Sequence, residues 1–100
     1  MDALWADAAR HLTRKTDLPD YLGPLTQAGL EAWVAQHVQA LLTHGQFEAL
    51  VQLCYRVDVP ETAFRQAIEL REPPSIAAEL AQLLVARELE KAKSRRSYRT

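Results

Sequence analysis

The sequence holds one cysteine and three glycines in 100 residues. Cys54 has no second cysteine to pair with, so no internal disulfide holds the fold, and a reducing, intracellular compartment fits. The glycines are too scattered for a phosphate-cradling loop, and no C-x-x-C or H-E-x-x-H spacing occurs. No apolar run approaches the ~18–20 residues of a membrane span. The opening residues, MDALWADAARHL, lack the basic and continuous apolar regions of a signal peptide. These absences set the expectation of a cytoplasmic chain with no membrane, no metal and no cofactor. β-branched residues are few and nowhere alternate over a strand length, which argues against sheet.

What is present favours helix. Apolar residues make up 48% and charged residues 25%, ordinary globular usage. One hundred residues fit one domain, burying roughly 60–70% of the unfolded surface. Ala, Leu, Gln and Glu are strong helix formers. The fold expected is all-α, a compact bundle of about five helices, two of them short, with a helical corner at 57–61 and a long C-terminal helix.

A first helix is expected from Ala3 to about Arg14, with Asp2 as N-cap and Leu4, Trp5, Ala8, Ala9 and Leu12 on its apolar face. The span KTDLPDYLGP breaks it, and Leu18, Tyr21 and Leu22 are expected to tuck that turn against the core. Thr26 suits the N-cap of a second helix ending at His44-Gly45, where glycine permits a left-handed C′ residue. Its wide stripe of Leu30, Trp33, Val34, His37, Val38, Leu41 and Leu42 implies several neighbours.

The stretch 46–70 reads as the centre of the fold. A third helix, near Gln46 to Val57, places Phe47, Leu50, Val51 and Cys54 at i, i+3, i+4, i+7. Asp58-Val59-Pro60-Glu61 fits a capping box, with Asp58 as N-cap of a fourth helix and Glu61 at N3. That helix carries Ala63, Phe64, Ala67 and Ile68 and runs to about Leu70 or Arg71. After Glu72-Pro73-Pro74, a fifth starts near Ser75, with Ile76, Leu80, Leu83 and Leu84 on its buried face and Val85 and Leu89 flanking. Glu88 with Lys91, and Glu90 with Lys93, are spaced for exposed i, i+3 pairs.

The segment LVQLCYRVDVPE, followed after a proline break by AELAQLLVARELEKAKSRRSY, resembles a group of small bacterial all-helical proteins. Their mark is a Tyr-Arg-(Ile/Val)-Asp-Val-(Ser/Pro)-Glu joint and a C-terminal helix rich in Glu, Arg and Lys. Tyr55, Arg56, Asp58 and Glu61 are the matching polar positions, with Cys54 and Pro60 as departures. The resemblance covers the second half of the chain and implies helices there. It carries no activity.

Charge is divided unevenly. Residues 91–100 hold five basic residues (Lys91, Lys93, Arg95, Arg96, Arg99) and no acidic one. The whole chain has twelve basic and thirteen acidic residues, so residues 1–90 hold seven against thirteen, a net of −6. This divides the chain into a bundle, 1–90, and a basic helix extension or tail, 91–100, projecting and fraying beyond the bundle. Tail and body could meet head-to-tail between copies.

The chemistry-bearing residues each have a plainer explanation. Asp7 and His11 share a helical face, as solvated i, i+4 pairs often do. Cys54 lies on an apolar stripe, where cysteine acts as a small hydrophobe. Tyr55 and Arg56 belong to a capped corner, yet both types are enriched at interface hot spots. Arg95, Arg96 and Arg99 with Tyr98 combine charge and a stacking ring, as nucleic-acid-binding segments do.

The function expected is a non-enzymatic protein–protein interaction or self-association module, with no catalytic residue and no metal ligand. The partner-binding candidates are Tyr55, Arg56, Lys91, Lys93, Arg95, Arg96, Tyr98 and Arg99. The alternative is nucleic-acid binding through the basic tail.

Overall fold

In a computed structural model, the chain is described over residues 2–16 and 20–99, side chains included except those of residues 2, 16, 98 and 99. Five helices follow one another: α1 (Asp2–Thr16), α2 (Gln27–Thr43), α3 (Phe47–Val57), α4 (Glu61–Ile68) and α5 (Pro73–Arg99). There is no strand among the described residues, so the all-α fold holds.

The centre of the fold is not the α3–α4 stretch. It is α5, which packs against all four other helices and most extensively against α2. At 1.5 Å per residue its 27 residues span about 40 Å, matching the 42 Å long dimension of the molecule. Pro73 and Pro74 open it, since the first helical turn needs no N–H donor of its own. The buried face runs Ile76, Ala77, Leu80, Ala81, Leu84, Val85, Glu88 and Ala92. Val85 is therefore core rather than flank, and Leu83 is only half-buried.

Local signals place α2 as expected. The Thr26 side chain accepts a hydrogen bond from Gly29 N at 3.0 Å, and Gly45 takes φ +68 after the helix ends. The turn before α2 is tied by Tyr21, whose hydroxyl donates to Pro24 O and whose ring lies 5.0 Å from Trp33. The Tyr21 hydroxyl approaches Gly29, where a Cβ would also meet Pro24 O at 2.7 Å. Leu22, expected in the core, is 94% exposed. Leu18 lies outside the described residues.

On α3 the buried face is Leu50, Leu53, Cys54 and Val57. Phe47 and Val51, expected inside, are exposed. Both sets fit one helical stripe. The neighbouring α1, α2 and α5 select the first. On α4 only Ala67 is fully buried.

The capping box does not form. Asp58 is the C-cap of α3, left-handed at φ 66, and its N–H bonds back to Tyr55 O. Val59 N donates to Cys54 O at 3.0 Å, closing the end of α3. Pro60 holds the N-cap of α4 with no side-chain cap, and Glu61 is the first helical residue. Aspartate tolerates the left-handed region better than most residues, so Asp58 ends one helix instead of starting the next.

Candidate interaction surfaces

Two features of α3 and α5 decide what the chain can present to a partner. The first is an apolar face on α3. Phe47, Val51 and Tyr55 sit at i, i+4, i+8 and are 46%, 36% and 78% exposed. Across from them the Phe64 ring of α4 lies 6.0 Å from that of Phe47. The two short helices diverge from the Asp58 corner and leave a groove of about 660 Å³ between them. Val51, Cys54, Tyr55, Val59 and Phe64 form its apolar lining, and Asp58, Glu61 and Arg65 add exposed charge. Glu61 and Arg65 hold each other at 2.6 Å.

Cys54 contributes to this lining as a hydrophobe. Burial pushes its thiol up to about 12, which leaves almost no thiolate near neutral pH. Tyr55 opens onto the groove, but Arg56 does not join it. Arg56 Nη1 donates to Lys15 O at the end of α1, 3.2 Å away. With Lys15, His37 and Gln46 it lines a separate cleft of about 270 Å³ between α1, α2 and α3. The adjacent Tyr55 and Arg56, expected to share a surface, thus serve different sides of the helix.

The second feature is a ladder of ion pairs along α5. Glu88 is fully buried, and its Oε2 lies 2.5 Å from Lys15 Nζ of α1. Its other oxygen, Oε1, has no hydrogen-bond partner among the described residues. One turn on, Lys91 pairs with Asp58 Oδ2 at 3.1 Å. Arg95 donates through Nε and Nη2, at 3.2 and 3.1 Å, to Asp7 Oδ2 of α1. The other oxygen of Asp7 takes Arg10 at 3.2 Å. Glu88 is therefore not the exposed partner of Lys91 that its spacing suggests.

The pKa directions follow these contacts. Burial tends to raise the Asp7 carboxyl, but the hydrogen bonds and charge of Arg95, with His11 and Arg10, leave it below its usual value. Desolvation lowers His11, helped by Arg95 and Arg14 against the opposing pull of Asp7 and Glu88. The hydrogen bond and charge of Lys91 lower Asp58.

The ladder changes the picture of the C-terminal segment. Helix α5 runs through residue 90 without a break, and Ala92 is fully buried. The segment is not a projecting, fraying tail at Lys91, Ala92 and Arg95, which are packed or paired on the body. Lys93 and Arg96 are exposed. The side chains of Tyr98 and Arg99 lie outside the described residues. Lys91 and Arg95 spend their charge within the molecule, which takes two of the five cations away from head-to-tail pairing or phosphate contact. Sequence reasoning missed the ladder because its partners lie as far as 88 positions apart.

No group of three or more His, Cys, Asp or Glu among the described residues is arranged to hold a metal ion. No helix among them is long and apolar enough to cross a membrane. Comparison with protein-family models, curated proteins and solved structures finds no match to this chain.

Proposed function

We propose that the chain is a non-enzymatic helical interaction module that docks a partner helix, on another protein or on a second copy, in the α3–α4 groove. One observation carries this reading: Phe47, Val51 and Tyr55 form a continuous exposed stripe beside the face of α3 that is already core. Solvent exposure of an aligned aromatic and aliphatic row costs solubility, and its usual compensation is a partner. An amphipathic helix laid into such a groove offers side chains at the same i, i+4 spacing. Tyr55 and Phe64 are the anchor residues, and the inert thiol of Cys54 supports a packing role for the groove floor.

Val51→Lys places a charge in the middle of the stripe without touching the buried face. Sedimentation velocity from low micromolar to near-millimolar concentration, alongside selection from a library of amphipathic helical peptides, tests the reading. Self-association or a selected peptide that the substitution abolishes is the expected result. A wild-type chain that stays monomeric and selects no peptide dependent on Val51 overturns it.

A further inference from the structure

Helix α4 is the least anchored helix of the bundle. Of its eight residues only Ala67 is fully buried, with Ala63, Phe64 and Ile68 half-buried beside it. Even the short α1 buries Ala8, Ala9 and Leu12 and is tied to α5 by two ion pairs. Among the described residues the one ion pair of α4 is internal, Glu61 with Arg65. The hydrogen bonds at its ends are local too: Phe64 N donates to Pro60 O, Glu69 N to Arg65 O and Leu70 N to Ala67 O. Each of the short connections flanking α4 holds a left-handed residue, Asp58 before it and Arg71 after it. Lys91 fixes Asp58 to α5 at 3.1 Å, so the connection is pinned where the helix it leads into is not. Space lies on both sides of α4. The groove of about 660 Å³ separates it from α3, and a cleft of about 270 Å³, lined by Ala63, Gln66, Leu70 and Leu83, lies towards α5. The Phe47–Phe64 ring contact bridges the groove.

We propose that α4 is a strap that lifts from the body while α1, α2, α3 and α5 stay folded, and that lifting uncovers the floor of the α3–α4 groove. Partial openings of this kind belong to the elements with the fewest buried apolar contacts. Eight residues are too few for a helix to persist alone in water, so the lifted strap loses its helical hydrogen bonds. Cys54 lines the groove with Val59 and Phe64 and is 3% exposed, and lifting bares its thiol. The movement regulates docking, and in that role it rests on the groove being a docking site. A partner helix that needs the lifted state binds with an affinity reduced by the fraction of chains that are lifted. The movement itself is measured on the free chain, so its failure is distinct from the absence of a partner.

Alkylation of Cys54 by iodoacetamide, together with native-state amide exchange, tests the movement. Burial holds the thiol protonated in the closed chain, so labelling reports opening. In the wild type the labelling rate is expected to stay nearly flat with urea well below the unfolding transition, and α4 amides to exchange ahead of those of α2 and α5. Gln66 is exposed and does not line the groove. Gln66→Gly is expected to label roughly fivefold faster than Gln66→Ala, the ratio that helix propensity sets. Asp7→Asn weakens the α1 seat, which is intact in both the closed and the lifted chain. It is expected to lower global stability and leave the labelling rate unchanged. Labelling that climbs steeply with urea in parallel with global unfolding overturns the proposal, as does acceleration by Asp7→Asn or equal rates for the two Gln66 variants. Fast α4 amides with an unlabelled Cys54 also overturn it, since they show a helix fraying in place. The wild-type urea series decides if a variant fails to fold.

Discussion

Lys15 and Glu88 are 73 residues apart in sequence, and their side chains meet at 2.5 Å with the carboxylate fully buried. Removing one partner of such a pair leaves a charge stranded in the interior, whereas replacing both by apolar groups is often neutral or favourable. Lys15→Met is therefore expected to cost about 3 kcal/mol, at the low end for a buried pair because Lys15 keeps some contact with water. Lys15→Met with Glu88→Leu recovers most of that loss. Urea unfolding of the three chains measures both effects. Equal destabilisation by the single and double changes would show that the pair is not the source.

Among the described residues, two other than glycine hold left-handed backbone, Asp58 at φ 66 and Arg71 at φ 72. Arg71 is exposed and joins α4 to α5, so Arg71→Gly relieves strain without removing a contact. The gain expected is about 0.5–1 kcal/mol, while Arg71→Ala gains nothing. Asp58→Thr distinguishes the observed C-cap from an N-cap. Threonine serves well as an N-cap but is β-branched and resists positive φ. The melting temperature is expected to fall with threonine and to be held best by glycine.

Acid weakens this fold through two groups of α1, in separate pH windows. Both Asp7 and His11 have folded pKa values below their ordinary ones. Below the ordinary histidine value of 6.5 the unfolded chain takes up the His11 proton more readily, so stability falls as pH drops from there. The Asp7 contribution is complete above its ordinary value of 3.8 and is lost as pH falls further, through the folded pKa. His11→Gln should flatten the stability profile in the first window, and Asp7→Asn in the second. A profile unchanged by both substitutions would contradict the assignment.

Much of the fold was legible because its signals are local. Thr26 and Gly45 mark their helix ends by chemistry that acts within a turn, and Pro60 and Pro73 fall where the next helix begins. The choice of face on α3 was not legible, since Phe47 and Val51 are as apolar as Leu53 and Val57. Only the positions of α1, α2 and α5 decide between them. Asp58 suits an N-cap and a left-handed C-cap equally by composition, and a single backbone angle separates the two. The ion-pair ladder was hidden for a similar reason. Helical spacing pairs Glu88 with Lys91, whereas the tertiary fold gives Glu88 to Lys15 and Lys91 to Asp58. Of the surface residues expected to bind a partner, Tyr55 was legible by type alone. The stripe around it was not, because it is made of residues assigned to the core.

The central claim is that the basic end of α5 belongs to the body. Thermal unfolding of a chain ending at Glu90 tests it most directly. That chain loses the buried Ala92, the Asp7–Arg95 bonds and the Lys91–Asp58 pair. The account predicts a melting temperature lower by roughly 5–15 °C, with faster amide exchange in α1. An unchanged melting temperature, with α1 exchanging as before, would contradict it and return the segment to the role of a free basic tail.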